Sequence, residues 1–188
     1  MQQDRWPPVY DFAELAGQIQ SLAESSALER EFFQRNGASS LGDFCQGDIV
    51  SFQTAFPFVD EQGEPAAEGD VNFWLLLSNT CDMNRELKEV TWAQLVPLES
   101  PGRTSEVDRG ILSSLRRYVY SRRFYVPSWT TSFDPEVWIA DFLRPVTFHR
   151  DGLKNAEVVA RLSLTGWALL HSCLVRFLAR DDGRYDSD

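Results

Sequence analysis

The chain has 188 residues, 43% hydrophobic and 24% charged, with a net charge of −10; this fits a folded globular protein, and its acidity repels nucleic acid at long range unless positive charge is concentrated locally. No apolar run approaches the roughly 20 residues that a membrane span needs. Three cysteines (45, 81 and 173), odd in number and without CxxC spacing, argue against a disulfide framework or a structural zinc site and point to the reducing cytoplasm.

The first ten residues, MQQDRWPPVY, read as an irregular lead-in, with no basic start running into the apolar core of a signal peptide. From Asp11 the pattern turns helical, with Phe12, Leu15, Ile19 and Leu22 at spacings of three and four. A second helix is expected from Ser26, where Ser26 and Glu29 form a capping-box pattern, to a stop at Asn36-Gly37.

The middle of the chain is strand-like. Asp48 to Phe58 is rich in β-branched and aromatic residues, and an acidic, turn-rich loop is expected over 60–70. The apolar run Val71 to Leu77 follows, then Val90 to Leu98 as another strand. A short helix is expected over 109–120, burying Ile111, Leu112, Leu115 and Val119. Arg122 to Val126 looks extended, and Glu136 to Phe148 reads as a strand that Pro145 breaks or places at an edge. The last helix is the clearest element. Ser163 caps it, it runs to about Arg180, and His171, Leu174 and Leu178 fall within about 40° of Trp167 on its surface, an apolar stripe that Leu170 and Phe177 widen.

These readings give a single α+β domain over 1–188, with N-terminal helices (11–37), a small antiparallel β-barrel core (45–150) carrying the helical insertion, and a C-terminal helix (163–180). Three stretches of the core resemble the MazF/PemK-like toxin family: Gly47-Asp48-Ile49-Val50, Leu75-Leu76-Leu77-Ser78-Asn79 and Leu95-Val96-Pro97-Leu98. Members of that family form a small SH3-like barrel and cut RNA without a metal. The resemblance implies such a barrel, a link to bacterial toxin or phage-defence systems, and a homodimer. It carries the activity less well. The family places a basic residue, often Arg-Pro, just before the second strand, where a guanidinium stabilises charge developing at phosphorus. Here that stretch is Gly69-Asp70-Val71-Asn72. The segment 78–82 also looks like a Ser-x-x-Cys-Asp signature of uncharacterised prokaryotic proteins, which adds no chemistry.

Cys81 is the sharpest candidate for chemistry, because it follows an apolar strand at a strand-to-loop junction. As a nucleophile it needs a base or a positive environment. His171 or His149 would have to supply the imidazole, with Asp82 to orient it. The alternative is a turn in which Asp82 accepts backbone N–H bonds. A second candidate is the segment from Arg103 to Arg123, where six Arg outweigh Glu106 and Asp108 for a local charge of +4. Arg116, Arg117, Arg122 and Arg123, interleaved with Tyr118 and Tyr120, have the composition of a strip that binds RNA or phosphate. Alternatively, the same Arg pair with the protein's own carboxylates or with an acidic partner. No cofactor motif or metal spacing is present. The leading expectation is a non-catalytic binding or accessory protein with a protein partner. A divergent ribonuclease, a Cys81-dependent hydrolase and an RNA binder are the alternatives.

Overall fold

A computed structural model of the chain describes residues 12–24, 28–34, 44–84, 92–129, 134, 136–153 and 155–179. The elements are α1 (Phe12–Glu24), α2 (Leu28–Glu31), β1 (Ile49–Val59), β2 (Pro65–Leu76), α3 (Thr80–Asn84), β3 (Trp92–Glu99), α4 (Arg109–Arg116), β4 (Arg123–Val126), β5 (Trp138–Asp141), β6 (Val146–His149), β7 (Glu157–Ala160) and α5 (Leu164–Leu178), with a 3-10 turn at Arg150–Leu153. The proposed cap at Ser26 and the stop at Asn36-Gly37 lie outside the described residues. Among the described residues no helix is long and apolar enough to cross a membrane.

The strands form one antiparallel sheet in the order β4-β5-β3-β2-β1-β7, with β6 also on β3. β3 shares its outer edge between two partners. Trp92 to Leu95 pairs with β6, and Leu98-Glu99 pairs with β5. The expectation is therefore met as a mixed α+β fold with a mainly antiparallel sheet. The sheet is open among the described strands, and what the structure shows is a curved sheet. The curvature is large. β1 and β6 are three strands apart, about 14 Å in a flat sheet, yet the rings of Phe52 and Phe148 meet at 5.4 Å.

Two cores lie on opposite faces of this sheet. Val50, Trp74, Leu76, Ala93 and Leu95 point inward, where they meet Met83, Leu153 and Ala156. Trp74 is fully buried there between Phe52, stacked at 5.5 Å, and Phe148, edge-on at 5.0 Å. Ile49, Leu75, Val96 and Leu98 point the other way, onto the helices and β4–β5. The apolar run Phe73 to Leu77 is thus a strand buried on both faces, with alternate residues serving alternate cores.

Three boundaries differ from expectation, and one strand was not expected. The acidic loop expected over 60–70 is mostly strand. A tight turn is pinned by Asp60, whose Oδ1 accepts the N–H of Gln62 and of Glu64, with Gly63 at φ +85°. α4 stops at Arg116 because Tyr118 takes φ +51° and turns inward. Leu112 and Leu115 are buried, but Ile111 and Val119 are exposed. The expected strand over 136–148 becomes β5 and β6. Asp141 makes the break, its carboxylate accepting the Leu143 N–H and its carbonyl the Arg144 N–H ahead of Pro145. β7 had no counterpart in the sequence reading.

α5 begins at Ser163 as expected, with the hydroxyl accepting the Gly166 N–H at 3.1 Å. Its buried face is Gly166, Leu169, Leu170 and Cys173, so of the apolar stripe Leu170 is buried and Leu174 and Phe177 are partly buried against the core. Leu164, Trp167, His171 and Leu178 are exposed. The cause is close approach. A Cβ on Gly166 would lie 2.4 Å from the Phe32 carbonyl oxygen, so only glycine lets α5 sit so near residue 32.

Candidate functional site

The stretch after β2 is built against a second turn, residues 44–48. Gly47 N–H donates to the Leu76 carbonyl at 2.8 Å, and Leu76 N–H donates to that of Asp48 at 3.0 Å. Gly47 has φ +90°, and a Cβ there would lie 2.6 Å from Leu162 Cδ1. Asp48 is fully buried. Its Oδ2 accepts the Cys45 N–H at 2.8 Å, and the Arg161 fork donates to both oxygens, Nε at 2.8 Å and Nη2 at 2.9 Å. A buried carboxylate needs a charge partner and filled acceptor sites, and this one has both.

The polar residues of 78–82 serve the same corner. Ser78 Oγ accepts the Gln94 N–H at 2.8 Å, and Thr80 Oγ1 accepts the Gln46 N–H at 3.0 Å. The Asn79 carbonyl accepts N–H bonds from Asp82 and Met83, starting the single turn of α3. Met83 is buried in the inner core, while Cys81 and Asp82 are exposed. The Cys81 thiol donates to Asp82 Oδ1 at 3.8 Å. Gln46 bridges onward. Its Nε2 donates to the Leu77 carbonyl at 2.7 Å, and its Oε1 accepts the Trp167 Nε1–H at 3.0 Å. His171 stacks on Trp167 with ring centroids 5.2 Å apart.

The three residues singled out for chemistry are therefore not one bonded unit. Cys81 and Asp82 are in contact, and among the described residues His171 is linked to the corner through Trp167, Gln46 and Thr80. Among the described residues neither imidazole hydrogen-bonds the Cys81 sulfur. His149 sits on β6, its Nδ1 accepting the Asp151 N–H at 3.1 Å and its ring against Trp92. Among the described residues no three His, Cys, Asp or Glu side chains group to hold a metal ion.

The arginine strip is folded around a buried tyrosine. Tyr118 is fully buried, and its hydroxyl donates to the Tyr125 carbonyl at 3.0 Å. Its side chain therefore belongs to the core and not to the surface the sequence suggested. Arg176 on α5 pins the turn, one nitrogen donating to the carbonyls of Tyr118 at 2.7 Å and Tyr120 at 3.2 Å. Arg122 lies 3.5 Å from the Asp141 carboxylate and Arg117 lies 3.9 Å from that of Glu24. Arg123 stands over the Tyr120 ring at 5.7 Å, and Arg116 is exposed at the end of α4. Sequence reasoning missed Asp48, Arg161, Gln46 and Arg176. One signal for the first was available: a lone aspartate between glycine and an apolar strand.

No family model matches the chain, and no curated protein or solved structure matches it significantly.

Proposed function

We propose that the chain is a cytoplasmic, non-catalytic binding or accessory protein built on a PemK-like, SH3-like barrel, and that it works beside a bacterial toxin or phage-defence system. One observation carries the non-catalytic part. The polar groups of residues 78–82 are bonded into a corner, and the hydrogen-bond partner of the Cys81 sulfur is a carboxylate. An activated thiol needs an imidazole or a cation in that place, and a carboxylate is neither. The barrel part is supported by the strand path β7-β1-β2-β3-β6, whose two outer strands are joined by only residues 150–156. It is also supported by the Phe52–Phe148 contact across that path. The three stretches that carry the family resemblance lie side by side, Ile49 opposite Leu75 and Leu75 opposite Val96. Three free thiols suit a reducing compartment.

The test is incubation of the full chain with single-stranded RNA, with the RNA ends mapped afterwards. The reading expects RNA as intact as in buffer. Cleavage that disappears in Arg116→Glu/Arg117→Glu would replace it with the ribonuclease reading, and ester hydrolysis lost in Cys81→Ser with the hydrolase reading. Exposed Arg116 and the Arg123–Tyr120 pair favour one further reading, RNA or phosphate binding without chemistry. That reading expects RNA affinity to fall steeply with salt and with the same double variant. Unchanged affinity in the variant would remove it.

A further inference from the structure

The far end of the β1–β2 hairpin has a composition that the sheet does not use. β1 pairs with β7 only over Ile49 to Ser51, and β2 pairs with β3 only over Trp74 to Leu76. Over 54–59 and 65–71 the two strands pair only with each other among the described residues. The arm runs about 17 Å from Thr54 to Val59 at the usual rise per residue. Its last three rungs are Pro57–Ala67, Phe58–Ala66 and Val59–Pro65. All six residues are apolar, so both faces of the ribbon are apolar. Phe58 is 40% exposed and Val59 is 68% exposed. A two-stranded ribbon is marginally stable alone in water, and apolar residues on both of its faces gain nothing from solvent.

Resting on the binding-protein reading, we propose that this arm is the docking element, and that its partner is a protein presenting an apolar groove rimmed by Lys or Arg. Charge selects the partner. The tip carries exposed Glu61 and Glu64 beside Phe58 and Val59, and no basic residue lies between Arg35 and Arg85 in the sequence. A second copy of a chain of net charge −10 would be repelled. The prolines set the mode of contact. Pro57 and Pro65 remove N–H donors from the ribbon, which disfavours addition of a further strand at its edges. The groove therefore takes the faces, with Phe58 and Val59 as anchors.

The experiment uses the full chain and two labelled synthetic peptides as probes, an amphipathic Leu/Lys helix and its Leu/Glu counterpart, read by fluorescence anisotropy. The Leu/Lys peptide binds, and the Leu/Glu peptide does not. Phe58→Ser/Val59→Ser and, independently, Glu61→Lys/Glu64→Lys each weaken binding about tenfold. Glu136→Lys/Glu157→Lys, which makes the same charge change on exposed residues elsewhere, shifts it by less than about threefold. Equal weakening by all three variants, or by none, overturns the proposal. So does sedimentation showing a wild-type dimer that Phe58→Ser/Val59→Ser dissociates, since the occupant would then be a second copy. Cleavage of RNA by the wild-type chain overturns the binding-protein reading instead, and is scored separately from the tip.

Discussion

Cys173 and Cys81 are thiols in opposite surroundings. Burial in the helix-side core pushes the Cys173 thiol up from 9.0 to about 12, against a smaller downward pull from Arg176. A raised value in the folded state means that the protonated thiol belongs to the native state. Its stabilising contribution is complete below pH 9 and is lost as pH rises from about 9 to about 12, at up to about 1.4 kcal/mol per pH unit. Cys173→Ala should therefore flatten the alkaline limb of a stability–pH curve from urea unfolding; a variant curve parallel to that of the wild type would contradict this. In native protein a chromogenic disulfide reagent should label exposed Cys81 and leave Cys173 untouched until the chain unfolds. The Asp48–Arg161 pair is the other residue-scale prediction. Arg161→Ala leaves a fully buried carboxylate without its fork and should cost about 3–5 kcal/mol in urea unfolding. A loss under about 1 kcal/mol would show that the pair does not hold the corner. The sequence displayed Cys81 and Asp82 because they are adjacent in a polar break. It hid the pairing of Asp48 with Arg161, because 113 residues separate them and Arg161 stands in no local pattern.

At the scale of elements, the extent and cap of α5 were legible, and its orientation was not. Leucine and aromatic residues spread over more than half of the helix circumference, so periodicity alone does not choose a face. The choice is made by Gly166, the one position where α5 can approach the Phe32 carbonyl. Gly166→Ala should destabilise the protein by about 1–3 kcal/mol despite alanine's better helix propensity. Leu178→Ser, at a side chain 77% exposed, should change stability by no more than about 0.5 kcal/mol. Reversed magnitudes in chemical unfolding would mean that the outer stripe is the packed face after all. β2 was misjudged for a related reason. Pro65 to Asp70 has turn-like composition, and its pairing with β1 follows from the Asp60–Glu64 turn rather than from its own residues. β7 is four residues long and draws its register from β1.

For the whole molecule, the two-sided burial of β1, β2 and β3 divides the fold into an inner core around Trp74 and an outer core beneath the helices. The strand order was not legible in the sequence, because β3 changes partner from β6 to β5 within one strand. The curl of the sheet is the feature on which the proposed SH3-like scaffold rests, and it depends on rings meeting across strands that are not neighbours. The direct measurement is an aromatic NOE experiment on the full chain with Phe52 and Phe148 selectively labelled. A curled sheet gives a cross-peak between these two rings, whose centroids are 5.4 Å apart. A flat sheet would hold the two strands about 14 Å apart. No cross-peak, with both rings showing shifts of solvent-exposed phenylalanine, would contradict the curled scaffold and the function proposed on it.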